Sequence, residues 1–407
     1  MTNIVTDNNV IDTAAGAYDA YIKASLGKDP ESTRAKGIVL TKDEIISIRK
    51  YVYAALKLPD SIVDVKAYLG YNGGAGIGNE PIDFQRSFFI IKTHAESWDP
   101  LYRDIRNVTT ELKLFGANMV IYGDQMKTVL SQIKGDKTLK ALGIETYEDL
   151  AAVKLKMGNA FPGIELDEND LETAASFGDH IDIMLKGVTA QSNSAQGIND
   201  KLSSFANDLA NKVQSQINTR LSAIDTSSLP QEITALNTKV EERAVSIDEK
   251  TKEYKSAVEK SIGSAAGLNP FGLAMAIYIG VEAEKIRKER NALKNLQEID
   301  IALLKEKNSI LGRLALVKLD MQNLNMLVIN ADHATKNLVA VWDSITTYTK
   351  YSKDAAADIT DAMKARMFVT HFSLVVAPWK LMSNDVADLL QVFIEADNEF
   401  NNLPTSN

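Results

Sequence analysis

The chain contains no cysteine. That excludes disulfides, thiolate nucleophiles and cysteine zinc sites together. Histidine is scarce as well: His94, His180, His333 and His371 are scattered along the chain. There is no HExxH helix, no Glu-x-x-His pair and no Gly-x-Ser-x-Gly elbow. No catalytic residue, cofactor or metal site is therefore expected, and the chain is not read as an enzyme. Only 9 prolines and 7% aromatics interrupt or crowd it. Alternating Val, Ile and Thr runs are rare, and apolar spacings of three and four dominate, which is the period of helices. The formal net charge is −9. An acidic chain repels phosphate backbones, so no nucleic-acid partner is expected. Residues 1–12 are polar, include Asp7 and Asp12, and lack the basic start and apolar core of a secretory signal. If the protein leaves its cell, export without a cleaved classical signal is expected.

What is present is helical. Thr41-Lys42-Asp43-Glu44 is a capping box, with Leu40 and Ile45 at the staple positions, and its helix should run to about Leu58 before Pro59. Gly70 to Asn79 reads as a loop. It lacks the preceding strand, the following helix and the Lys-Ser/Thr pair of a phosphate loop. Asp99-Pro100 should open the next helix, with Asp99 as N-cap. Leu101, Ile105, Val108, Leu112, Phe115, Met119, Tyr122, Met126, Val129 and Ile133 then alternate steps of four and three, a seam meant for neighbouring helices. Thr146 and Asp167 should cap shorter helices. The acids Asp167, Glu168, Asp170 and Glu172 read as helix-start acids, because the central Gly and final Glu of a calcium loop are missing.

From Gln191 the chain turns polar and long-armed. Ile198, Leu202, Phe205, Leu209, Val213, Ile217, Leu221 and Ile224 form one narrow seam, continued after a break at residues 225–230 by Ile233, Leu236 and Val240. A return seam follows in Ile286, Leu293, Leu296, Leu303, Ile310, Leu314, Val317, Met321, Leu324 and Val328. The expected fold class is all-α: an elongated helical bundle with a long antiparallel coiled-coil hairpin stalk ending in an apolar tip. The expected division is residues 1–190 as the N-terminal part of the tail bundle and 191–260 as the first stalk helix. Residues 261–282 form the tip, 283–332 the returning stalk helix, and 333–407 the helices that complete the tail. That last part is rich in large residues, including Trp342, Tyr348, Phe368, Phe372, Trp379 and Phe393, with Pro378 kinking or splitting its final helix.

The functional signal is the tip. Residues 261–281 carry no charge. As one straight helix they would span roughly 30 Å, the thickness of a hydrocarbon core. Asn269-Pro270-Phe271-Gly272 is a turn sequence in the middle, and each side of it is too short to cross alone. The segment reads either as a hairpin dipping into one leaflet or as a piece that rearranges into a crossing helix. The residues expected to enter lipid are Ile262, Gly263, Gly267, Leu268, Pro270, Phe271, Leu273, Met275, Ile277, Tyr278, Ile279 and Val281. Gly263 and Gly267, and Gly272, Ala276 and Gly280, stand four apart, as close helix packing in lipid prefers. Lys255, Lys260, Lys285, Arg287 and Lys288 form an interfacial basic flank, diluted by Glu259, Glu282 and Glu284. A competing reading is a non-enzymatic coiled-coil scaffold whose apolar segment is buried core.

Ala17-Tyr18-Asp19-Ala20-Tyr21, Gly37-Ile38-Val39-Leu40-Thr41, Tyr68-Leu69-Gly70-Tyr71 and the Gly267-Leu268-Asn269-Pro270-Phe271-Gly272 tip resemble one family. The family is that of the A components of two-component cytotoxins of the XaxAB and YaxAB kind, within the ClyA-type α-helical pore-forming toxins. The similarity runs along most of the chain. The resemblance implies a secreted helical protein that pairs with a B-component protein and joins a hetero-oligomeric ring in the lipid membrane of a target cell. Its hydrophobic foot would fall on Ile262 to Val281, and much of the pore lining would come from B.

Overall fold

The computed structural model describes residues 4–28, 35–70, 72, 73, 78, 80–223, 229–266, 281–381 and 383–402. The expected all-α class holds among them: apart from one isolated bridge between Glu165 and Asp361, the regular structure is helical. In chain order the helices are α1 (Ile4–Ser25), α2 (Lys42–Leu56), α3 (Ile62–Leu69), α4 (Pro81–Glu96), α5 (Trp98–Gln132), α6 (Lys134–Ala141) and α7 (Tyr147–Met157). Then come α8 (Glu168–Asp208), a π turn (Leu209–Val213), α9 (Gln214–Ser222), α10 (Gln231–Ala266), α11 (Val281–Lys307), α12 (Ser309–Ala357), α13 (Ala362–Leu381) and α14 (Ser383–Asn401).

Local chemistry starts these helices largely where the sequence places it. The Thr41 hydroxyl accepts from the Glu44 amide at 3.3 Å, and Glu44 Oε2 accepts from the Thr41 amide at 2.8 Å. Thr146 with Asp149 makes the same box at α7, and Asp167 accepts from the Asp170 amide at 2.8 Å. At α5 the expectation shifts by two positions: Ser97 closes α4, Trp98 opens α5, and Asp99 and Pro100 lie in its first turn. The α5 seam is buried throughout except for Tyr122, which is half-buried.

The chain divides into two compact units. The first combines Met1–Lys23, Val108–Ala195 and Asn337–Asp388. Its core is aromatic. Tyr18 stacks on Trp379 with ring centres 3.5 Å apart, Phe115 meets Trp342 and Trp379 edge-on, and Phe177 packs on Phe368. At one end Asp136 and Arg366 are buried together. Arg366 donates through Nε (2.9 Å) and Nη2 (2.7 Å) to Asp136 Oδ1, and also to the carbonyls of Asp136 and Ile144. Pro378 stands in α13, which ends three residues later at Leu381.

The second unit combines Ala24–Asn107, Gln196–Lys336 and Leu389–Asn407. His94 sits in its core with Nδ1 2.8 Å from the Tyr51 hydroxyl and Nε2 3.0 Å from the Phe205 carbonyl. Burial lowers its pKa, and that of His333, below the usual histidine value. The unfolded chain therefore binds protons that the fold resists. Stability contributed by the neutral rings is fully present above about pH 6.5 and is lost as pH falls through that value. We expect a thermal melt that drops between neutral and mildly acidic pH, and a shallower drop in His94→Gln, which carries no titrating ring. An equal slope in both proteins would remove His94 from the account.

The stalk seams need two corrections. A single return arm was expected over residues 283–332, but α11 stops at Lys307 and α12 starts at Ser309. Asn308 joins them: its amide bonds Leu304 O at 2.7 Å, and its side chain caps α12 by accepting from the Leu311 amide at 3.1 Å. The chain then folds back. Arg290 on α11 donates to Gln322 O on α12 at 2.8 Å, although 32 positions separate them. In the same way α10 lies along both helices, with Val240 and Ile247 sharing a core with Ile301, Leu304, Leu311, Ala315 and Leu319. Gly312 makes the tight return possible, because a Cβ there would run into the Lys305 backbone. Gly312→Ala should lower stability by about 1–3 kcal/mol, read by urea unfolding; an unchanged midpoint would mean that the turn opens freely.

The second correction is the inward face of α11. Leu296 and Leu303, placed on the seam by spacing, are 51% and 44% exposed, as is Ile299 at 60%. Ala283, Arg290, Gln297, Ile301 and Leu304 point inward instead, at steps of seven, seven, four and three. Two of these are polar and are matched across the bundle. Arg290 Nε bonds Thr251 Oγ1 at 3.0 Å, and Gln297 donates to Val240 O at 3.3 Å. From α12, Gln322 donates to Ala244 O at 2.8 Å. Burial pushes the Arg290 guanidinium down to about 10. Partners this particular fix the register of the three helices.

Candidate membrane-contact site

The two helices that flank the uncharged segment pack together a little before it. Tyr254 and Val258 on α10 and Ala283 on α11 form one buried cluster with Met326 of α12, flanked by Ala257, Ile286 and Ile329. The Tyr254 hydroxyl donates to Asn330 Oδ1 at 2.8 Å and ties α10 to α12 at the same level. The polar, register-locked packing of α10, α11 and α12 gives the helices that flank the segment a rigid mount.

Of the residues expected to enter lipid, Ile262 and Gly263 lie in the last turns of α10 and Val281 is the first residue of α11. The side chains at these three positions lie outside the described residues. Gly267, Leu268, Pro270, Phe271, Leu273, Met275, Ile277, Tyr278 and Ile279 lie outside them altogether. Among the described residues, no helix is long and apolar enough to cross a membrane.

The basic flank is described on both helices. Lys260 is exposed. Lys255 stands 3.9 Å from Glu259, Lys285 4.0 Å from Glu289 and Lys288 3.7 Å from Glu284. Arg287 is different. It grips Glu284 with two bonds of 2.7 Å, and this pairing raises its pKa further above the usual arginine value. The exposed pairs leave their lysines free to turn toward an anionic surface, because such ion pairs contribute little in water. Arg287 is committed to the fold. Sequence spacing missed this difference, since nothing local separates Arg287 from Lys285 or Lys288 until Glu284, at 6% exposure, is seen to be buried.

No group of three or more metal-ligating side chains occurs among the described residues. No family model matches the chain, and no curated protein matches it in sequence. Solved structures do resemble it. The chain is similar to YaxA from Yersinia enterocolitica. The identity is 23%, over 90% of this chain and 100% of that one, with a TM-score of 0.48. XaxA from Xenorhabdus nematophila is 25% identical over 90% and 100% of the two chains, at a TM-score of 0.44. The XaxAB pore complex from the same organism gives 25%, 90%, 100% and 0.43.

Proposed function

We propose that this chain is the membrane-docking A component of a two-component α-pore-forming toxin. The observation that carries the reading is the uncharged run of residues 261–281 between two helices, α10 and α11, that pack on each other through Tyr254, Val258 and Ala283. An apolar run of that length is a liability in water unless it is covered or delivered to lipid. Burial of its apolar surface at about 25 cal/mol per Å² supplies the driving force, and no catalytic group is needed. The sequence resemblance supplies the partner, a B-component protein, and the end state, a hetero-oligomeric ring in a target-cell membrane. In this reading the protein is secreted, the segment 261–281 anchors it, and the exposed lysines beside that segment meet the headgroups.

The test is dye release from liposomes, with sedimentation of the same samples to score attachment. The chain alone should attach without releasing dye, and release should follow when a B component is added. Absence of both attachment and release, with and without partner, would return residues 261–281 to the core of a scaffold protein.

A further inference from the structure

The second unit contains a polar cavity of about 640 Å³ that neither the proposed anchoring nor the helix packing uses. It lies between α2, α10, α11 and α12, a short way from the tip-bearing helix ends. Its size falls in the range of small-ligand sites, roughly 300–1,000 Å³. Most charged groups on its wall are already matched. Glu44 accepts from Thr41 and from Asn330, each at 2.8 Å. Glu284 holds Arg287 at 2.7 Å, and Lys294 pairs with Glu298 at 3.4 Å. Asp43 and Lys50 are unmatched but exposed on α2, and Asp320 is the unmatched group that is not exposed. Half-buried on the wall, it makes no hydrogen bond and no ion pair with any described residue. Tyr51 lines the same wall, and its hydroxyl is already bonded to His94.

We propose that this cavity binds a small organic ammonium ion, seated on the Asp320 carboxylate beside the Tyr51 ring. An unmatched carboxylate in a confined space attracts a cation, and a tyrosine ring adds cation–π attraction for an ammonium in particular. A hard divalent ion is a poorer fit, because it needs six or more oxygen ligands, and of the two unpartnered carboxylates on the wall Asp43 is exposed and only Asp320 is half-buried. Lys294, Glu298 and Lys50 act on Asp320 directly; the other charged or titratable groups on the wall are Asp43 and Glu44 on α2, Glu284, Arg287 and Arg290 on α11 and His333 on α12, while α10 brings neutral Tyr254. Burial raises the Asp320 carboxyl to about 7, so the empty site resists ionisation and a bound cation relieves that resistance. A free amine and the choline or ethanolamine end of a lipid share this chemistry.

The experiment is calorimetric titration of the full chain with choline chloride, phosphocholine and spermidine, against sodium chloride at matched ionic strength. Saturable binding is expected near pH 8 and should weaken about tenfold near pH 6, where only about a tenth of Asp320 is ionised. Asp320→Asn should abolish it while melting no lower than the native chain, since it removes an unmatched charge. Lys50→Ala, an exposed change that removes the nearest repelling cation on α2, should tighten it. Phosphocholine binding at least as well as choline would identify a headgroup, and binding of choline or spermidine alone a free amine. No saturable heat with any of the three, or equal affinity in Asp320→Asn, would overturn the proposal, as would weaker binding by Lys50→Ala.

Discussion

Leu273→Asp and Ile277→Asp should each abolish sedimentation with liposomes, while both variants melt like the native chain. A carboxylate placed at the centre of a bilayer costs about 3 kcal/mol, which is roughly a hundredfold in partitioning. The melt is the control for the fold. The same substitutions at Leu296 or Leu303, exposed on α11, should leave attachment unchanged. That contrast separates a local anchor from general hydrophobicity. Attachment retained by both tip variants would remove residues 261–281 from the membrane step.

Arg366→Ala should be among the most destabilising single changes in the protein, at about 3–5 kcal/mol. Asp136 is fully buried, and its oxygens face Arg366 and Lys140. Losing the arginine leaves a buried carboxylate whose remaining cation is 60% exposed, and it strips donors from the Ile144 and Asp136 carbonyls. The double variant Arg366→Met with Asp136→Asn should recover much of the loss, because no uncompensated charge remains. Urea unfolding of the three proteins gives the comparison. A loss below about 1 kcal/mol for the single variant would mean that water enters the site.

The parts of this fold that were legible in the sequence share a trait: their causes lie within a few residues. The Thr41-Glu44 box and the α5 seam are of that kind, and both stand nearly where spacing puts them. α1 was missed because alanines carry much of its buried face, with Ala14 and Ala17 beside Tyr18, Tyr21 and Ile22, and a small side chain adds little to a periodicity signal. The inward face of α11 was misread for the opposite reason. Leucines at helical spacing pointed to Leu296 and Leu303, whereas the bundle accepts Arg290 and Gln297 because distant carbonyls and hydroxyls receive them. The reversal at Asn308 has no proline, and its one glycine lies four residues later. Likewise, no local pattern links Asp136 to Arg366 across 230 positions, or shows that Asp320 is left unmatched.

All three tryptophans are buried in the described structure. Trp342 and Trp379 lie together in the first unit, while Trp98 lies in the second, against Tyr102 and Phe205. None falls between residues 229 and 336, where α10, α11 and most of the cavity wall are found. The natural emission of the protein therefore reports unfolding around those three rings and carries little information on the arrival of residues 261–281 at a bilayer. A single indole introduced at Phe271 would give that event a spectrum of its own, with a blue shift on transfer to hydrocarbon read against an unchanging background from the other three.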